Sequence, residues 1–409
     1  MKKVFKFIVA LLFIIIVTVN FVILFTGRFY MYKTLANTVF KGRLSPAIDE
    51  YGIFSNNIVG TGTARPWPVA KGYNKGVIPD SLVPQFKKMK TVAFVVIKND
   101  SLLHEQYWDG YSDTSHSNSF SMGKSITSIL CGIAIAEGKI KSVDEKVSDF
   151  IPQYKEGMDS LLTLKDLLEM GSGINFGENY ISPFSYPAEA YYSSDVMEYT
   201  LKYKVTEKPG TEWKYLSGNT QLLGYCITKA TGKSLSEYAT EKLWKPLGAE
   251  HPAYWSTDHK GGLEKAYCCF NSNARDFARI GQLYLDSGRC NYHKTIDSVS
   301  DSMGNTKYVM TGGYDQIVPV AWVAASTTPK LVAYYGYQWW ILKFEGHTIP
   351  YCRGLQGQYI FVIPDKKMVV VRLGAKREVV AMEQIDGKEY NIPTDAFIYL
   401  KAALSMYGK

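Results

Sequence analysis

The chain has 409 residues, 46% of them hydrophobic, 14% aromatic and 21% charged, a length for one large domain or two ordinary ones and a composition that excludes a disordered or low-complexity protein. Its 46 Lys and Arg outnumber 38 Asp and Glu, for a net charge of +8. Five of those basic residues (Lys2, Lys3, Lys6, Arg28 and Lys33) stand in residues 1–33 without an acid, so the other 376 residues carry 41 basic against 38 acidic groups, only +3. A near-neutral body has no basic face for nucleic acid, and no such partner is expected.

The first element is the run Phe7–Thr26, FIVALLFIIIVTVNFVILFT, whose only strong polar interruption is Asn20. Twenty helical residues span a hydrocarbon core of roughly 30 Å. The run is longer than a signal-peptide core and ends in Phe25-Thr26-Gly27-Arg28 with no small-residue cleavage pattern, so it reads as an uncleaved signal anchor. Lys2, Lys3 and Lys6 favour a cytoplasmic N-terminus. The expectation is a single-pass protein of a bacterial-type cytoplasmic membrane, with its body on the periplasmic or extracellular side.

Residues 34–85 are rich in Gly, Pro and Asn and read as an irregular lead-in. Thr91–Ile97, a turn at Lys98-Asn99-Asp100 and Ser101–Trp108 read as a strand hairpin. From Ser121 the apolar spacing becomes helical and runs to Gly138. Val143–Ile151 and Thr163–Met170 follow as short helices, then Thr220–Thr231, Ser234–Leu247 and Asn273–Ser287. Strands return at Tyr337–Lys343, Gln358–Ile363 and Met368–Leu373, with a turn at Pro364-Asp365-Lys366-Lys367, and Pro393–Met406 closes as a helix. Strands at both ends and helices between them imply one α+β domain, an antiparallel sheet of N- and C-terminal strands with an inserted mainly helical region. The organisation expected is 1–33 anchor, 34–85 lead-in and 86–409 domain.

None of the six cysteines (Cys131, Cys226, Cys268, Cys269, Cys290 and Cys352) forms a C-x-x-C pair, and the six histidines show no H-E-x-x-H or H-x-H spacing. No metal and no cofactor are expected. Cys131 and Cys226 sit in apolar helical runs as small hydrophobes; pairing among the other four is left open.

Ser121-Met122-Gly123-Lys124 is the only S-x-x-K in the chain. Residues three apart share a helical face, so the Ser121 hydroxyl and the Lys124 amine can meet. The helix N-terminus adds oriented N–H groups and partial positive charge, suited to an oxyanion. A serine becomes a nucleophile when a neighbour takes its proton. By itself the motif is weak, since roughly one or two arise by chance in a chain of this length, and an N-cap serine beside a solvated lysine explains it equally. Gly123-Lys124-Ser125 and Gly232-Lys233-Ser234 are not phosphate loops, because Asn118 and Ile227 stand where the required glycine would be.

Further motifs lift the serine above chance. Trp213-Lys214-Tyr215-Leu216-Ser217-Gly218-Asn219 leads through Ala230-Thr231-Gly232-Lys233 to Leu243-Trp244-Lys245-Pro246-Leu247-Gly248, and near the end stands Cys352-Arg353-Gly354-Leu355-Gln356-Gly357-Gln358. Over residues 86–405 the chain resembles the serine β-lactamase and penicillin-recognising hydrolase superfamily, in its class C-related branch, and within it the 6-aminohexanoate-dimer hydrolase group. The resemblance implies a serine β-lactamase-like fold and assigns Ser121 as the acylated serine, Lys124 as its partner and Tyr215 as the tyrosine of the Y-x-N motif. Ser217 takes that motif's third position in place of asparagine, as in the amidase-like group, and Asn219 lies two residues too far along. The K-T-G strand aligns with Cys352-Arg353-Gly354, so its lysine is missing and recognition of β-lactam or D-Ala carboxylates is weakened. Arg353 is one residue along and points to the opposite face of a strand. Gly354 keeps the strand approachable, and the Leu355 N–H is the expected oxyanion donor beside that of Ser121. The resemblance also marks Tyr180 and Asn271 as substrate-binding candidates, whereas Asp276 and Arg279 are expected to pair on a helix surface.

The expected activity is two-step acyl transfer on a small-molecule ester, amide or short peptide-like substrate, with Ser121 as nucleophile and Lys124 and Tyr215 as base and acid. A β-lactamase or D-Ala-type peptidase is one alternative, and a non-turnover penicillin-recognising sensor the other.

Overall fold

The hairpin expected from Thr91 forms as β1 (Thr91–Lys98) and β2 (Ser101–Tyr107). Asn99 and Asp100 turn it, both at positive φ (49° and 58°), the backbone that a two-residue hairpin turn demands and that short polar side chains tolerate. The computed structural model describes residues 1–180, 182–300 and 306–408, with side chains outside 291–312. After a long helical excursion come β3 (Trp340–Phe344), β4 (His347–Gly354), β5 (Gln358–Ile363) and β6 (Met368–Gly374). They join the hairpin in one antiparallel sheet of order β2-β1-β6-β5-β4-β3.

Both faces of this sheet are covered, which is why β1, β5 and β6 are nearly continuous apolar runs rather than alternating ones. Val95, Ile97, Ile360, Val362, Val369 and Val371 face the larger helical core, and Phe94, Val96, Tyr359, Phe361 and Val370 face a second core under the C-terminal helix. Each such side chain, once fully buried, contributes about 1.5–3 kcal/mol.

The helices that matter for the site are α1 (Lys2–Thr26), α2 (Met122–Ala136), α3 (Ser217–Thr231), α4 (Ala274–Leu285) and α5 (Ala396–Tyr407). By length and composition α1 is able to cross a membrane. Helix α4 lies on β5 and β6, and its Gly281 leaves room for Ile360 and Val369, which an added methyl would strike.

Several boundaries differ from expectation. The strand expected at Tyr337 begins only at Trp340, because Gln338 takes φ 63° and buries its amide between Leu167 O (2.8 Å) and the Thr220 hydroxyl (2.7 Å). Helix α3 starts three residues earlier than expected, at Ser217, and α5 starts at Ala396 because Pro393 still belongs to a strand. Val143–Ile151 holds only a 3-10 turn at Val147–Asp149, and Thr163–Met170 shortens to Leu164–Leu168 behind a Thr163–Asp166 capping box. Ser234–Leu247 divides into Leu235–Ala239 and a wider turn at Thr240–Trp244. Elements with no periodic signal also appear: helices Tyr186–Tyr192, Val196–Thr200 and Val320–Ser326, and hairpins Arg289–Ser300/Thr306–Gln316 and Val380–Ile385/Lys388–Pro393. Asn56–Val59, from the stretch read as irregular, is the edge of a four-stranded sheet with Ala253–Ser256, Phe270–Ser272 and Ser117–Asn118.

Candidate active site

The small sheet ends at Asn118, and the chain reaches α2 through Ser119 and Phe120. Phe120 is held at φ 42°, an uncommon backbone for an aromatic residue, with its N–H on Asn118 Oδ1 (2.8 Å). Ser121 follows as the N-cap of α2. From Ser117 to Ala134 every residue but Ser121 is buried. The fold thus presents one hydroxyl at the head of an otherwise sunken helix, where N–H groups and helix dipole favour negative charge.

Lys124 lies one turn on, 1% exposed. Its Nζ donates to Ser121 Oγ (2.9 Å), Ser217 Oγ (3.1 Å) and the Tyr267 carbonyl (3.2 Å), so all three ammonium hydrogens have acceptors. The same nitrogen sits 4.9 Å from the centre of the half-buried Tyr215 ring. That ring packs on Trp340 (5.2 Å between centroids) and Tyr335 (6.2 Å). Ser121, Lys124, Tyr215 and Ser217, four motif positions drawn from two distant segments, therefore meet at one point.

Ser217 does more than fill the asparagine's place. Its hydroxyl donates to Glu178 Oε1 (2.6 Å) and its N–H to Glu178 Oε2 (2.8 Å), while its lone pair accepts from Lys124. Tyr180 donates to the same Glu178 Oε1 (2.5 Å). Burial of the Tyr180 hydroxyl, with Glu178 and Tyr215 beside it, pushes that phenol well above its ordinary pKa, although its ring remains exposed. Glu178 received no role from the sequence: a carboxylate two residues before a tyrosine in a polar loop has no diagnostic spacing. The Tyr267 carbonyl was equally silent, being backbone.

Beside it, Cys268 and Cys269 form a disulfide between neighbours. The Cys268 backbone lies against Gly123, where an added Cβ would stand 3.2 Å from it, so this turn and the first turn of α2 brace one another.

On the opposite wall, β4 ends at Gly354. A methyl there would collide with the Ser119 carbonyl, so glycine is what lets the end of β4 pass close to the segment that leads into Ser121. Arg353 lies on the other face of β4, its guanidinium 3.3 Å from the Trp340 ring centre and bonded to Asn391 O (3.1 Å) and Oδ1 (2.9 Å). It does not stand in for the missing lysine.

Two expectations are corrected, and one is kept. Asn271 has no exposed surface, and its Nδ2 is taken by Tyr254 O, Cys269 O (both 2.8 Å) and Ser256 Oγ (3.3 Å); it braces the small sheet and does not face a ligand. Asp276 and Arg279 pair at 2.9 Å, but inside the protein: Asp276 is 0% exposed and also accepts from Glu250 N (2.8 Å) and His251 N (2.9 Å). Asn219, the spare amide, points into the core at Met170 Sδ (3.6 Å).

Among known proteins, the chain is 25% identical over 309 residues to the 6-aminohexanoate-dimer hydrolase of Paenarthrobacter ureafaciens, covering 73% of this chain and 76% of that one. Its fold is shared with a Bacillus anthracis protein named for the 6-aminohexanoate-dimer hydrolases (TM-score 0.64, 22% identity, 87% of this chain and 90% of that). It is also shared with the octameric penicillin-binding protein homologue of Pyrococcus abyssi (TM-score 0.56, 19% identity, 81% and 77%). The Beta-lactamase family model matches residues 79–386, which takes in both walls of the site, and by that match the chain belongs to the β-lactamase family and is a serine hydrolase of its superfamily.

Proposed function

We propose that the chain is a membrane-tethered hydrolase that opens an ester or amide bond through an acyl-enzyme on Ser121. The observation that carries this reading is the 2.9 Å hydrogen bond between Lys124 Nζ and the half-buried Ser121 hydroxyl at the head of a buried helix. With Lys124 Nζ 4.9 Å from its ring centre, Tyr215 acts in its phenolate form as the base that takes the Ser121 proton as Oγ attacks the carbonyl. The N–H groups of Ser121 and Leu355 hold the oxyanion. Tyr215 returns the proton to the leaving alcohol or amine, and water, deprotonated in the same way, clears the acyl group and restores Ser121. Tyr180, exposed at the mouth, contacts the substrate beside Ser217 and Gly354.

A disulfide beside the site fits a body kept in an oxidising compartment, which supports α1 as an anchor with the domain outside. The commitment of Arg353 to Trp340 and Asn391 argues against recognition of a β-lactam carboxylate. The test is intact-mass labelling by a fluorophosphonate and by a labelled penicillin, wild type against Ser121→Ala. Fluorophosphonate labelling lost in Ser121→Ala supports the proposal, and labelling that survives the substitution refutes it. A penicillin adduct would move the reading to a penicillin-recognising enzyme if it clears, and to a sensor if it persists.

A further inference from the structure

The apolar helix α1 is not a free tether. Ile23 is fully buried, Val19 packs against the main core, and Asn20 Oδ1 accepts from the Tyr32 hydroxyl (2.9 Å). At 1.5 Å per residue, Val19 and Ile23 lie about 10 and 5 Å before the helix end at Thr26. The body therefore touches α1 at a depth that belongs to the hydrocarbon, not beyond it. Past the helix the contact continues. Arg28 pairs with Glu189 (2.6 Å) and lies 5.4 Å from the Phe184 ring centre, and the Tyr30 hydroxyl donates to Pro183 O (2.8 Å). Around this junction the surface is apolar: Phe29, Val39, Phe40 (79% exposed) and Leu44 (93%) face outward, with exposed Lys33 and Lys41 among them. Aromatic and aliphatic side chains interspersed with lysines are the composition of a surface seated at a membrane interface.

The segment that clamps α1 is also a wall of the site. Glu178 and Tyr180 hold Ser217 from its start, and six residues on, at most about 20 Å of extended chain, Phe184 meets Arg28. The rings of Tyr180 and Phe184 are both exposed, the first bonded to Glu178 at the site and the second against Arg28 just past the anchor.

We propose that the domain is seated in the leaflet through this rim, and that Ser121 takes its substrate from the membrane, as an ester or amide borne on a bilayer-anchored amphiphile. This rests on the hydrolase and anchor readings above. A docked anchor raises the effective concentration of substrates held in the same bilayer and gives no advantage toward dissolved ones.

The test uses the full chain in phosphatidylglycerol–phosphatidylcholine vesicles, with two chromogenic esters sharing one reacting group, one short-chained and soluble, the other long-chained and held in the bilayer. The bilayer ester is expected to be preferred in kcat/KM by about tenfold or more, and Arg28→Ala/Tyr30→Phe to bring that ratio to about one while the soluble ester reacts as in wild type. Equal use of the two esters by wild type, or a preference that the double variant leaves intact, overturns the proposal. Should the double variant lose both activities, Phe40→Ser, on the exposed rim, decides: a lowered ratio sustains the proposal and an unchanged one rejects it. If wild type turns over neither ester and takes no fluorophosphonate, the hydrolase reading has failed and this inference falls with it; labelling without a bilayer preference rejects the inference alone.

Discussion

Glu178 and Ser217 show how one carboxylate organises the site. Ser217 donates both its hydroxyl and its N–H to Glu178, which leaves its oxygen lone pair turned toward Lys124. Hydrogen bonds to a charged group contribute about 1.5–3 kcal/mol, so Glu178→Gln should lower kcat/KM by about ten- to a hundredfold while the melting temperature stays close to wild type. A loss of fold with no separable kinetic loss would show that the residue only braces the loop. Lys265 illustrates a different cost. It has no exposed surface, its Nζ donates to Thr257 O (3.0 Å) and stands 3.8 Å from the Phe54 ring centre. Burial, partly offset by Asp258, lowers its pKa from 10.5 to about 7. Between those values the unfolded chain binds the proton and the folded one does not, so folding stability rises as pH increases from about 7 toward 10 and carries the full penalty below 7. Lys265→Met keeps the apolar stem; it should raise the melting temperature at pH 7 and flatten the rise toward pH 10, as thermal melts across that range will show.

At the scale of elements, the approach of β4 to the head of α2 sets the space in which the proposed oxyanion site would lie. Gly354 permits that approach only because nothing fills the space before the Ser119 carbonyl. Gly354→Ala must move one of the two elements, at a cost of about 1–3 kcal/mol, and turnover should fall far more than stability does; denaturant melts beside steady-state rates will separate the two. Long elements with a regular apolar period were legible from sequence: α2, α4, β1, β5 and β6 lie within a few residues of expectation. Tyr186–Tyr192 and Val196–Thr200 were not, since helices of seven and five residues carry too little period to register and owe their existence to packing.

For the whole molecule, the oxidation state and the charge distribution bear on where it works. Six cysteines with one disulfide leave Cys131, Cys226, Cys290 and Cys352 free. Thiol titration of the denatured chain should count four groups before reduction and six after; six before reduction would remove the support that the disulfide lends to an extracytoplasmic body. The charge bears on the anchor as well. The basic excess of the first 33 residues includes Arg28, which ends up paired with Glu189 of the Tyr186–Tyr192 helix, so one of the charges flanking the apolar helix also packs its end against the body.

Sequence by itself determined which residues are proposed for the chemistry. Ser121, Lys124 and Tyr215 announce themselves because S-x-x-K is a one-turn helical spacing and the Tyr215 segment and the Gly354 strand keep their order along the chain. It also determined an antiparallel sheet built from N- and C-terminal strands around an inserted helical region. Tertiary structure alone decided the partners that lack a local signature: Glu178 under Ser217, the Tyr267 carbonyl on Lys124, the Cys268–Cys269 bond, the inward turn of Asn271 and Asp276, and the docking of α1. Apart from the bond between the adjacent cysteines, these depend on contacts between residues tens to hundreds of positions apart, and such contacts are set by how surfaces pack, which no spacing along the chain encodes.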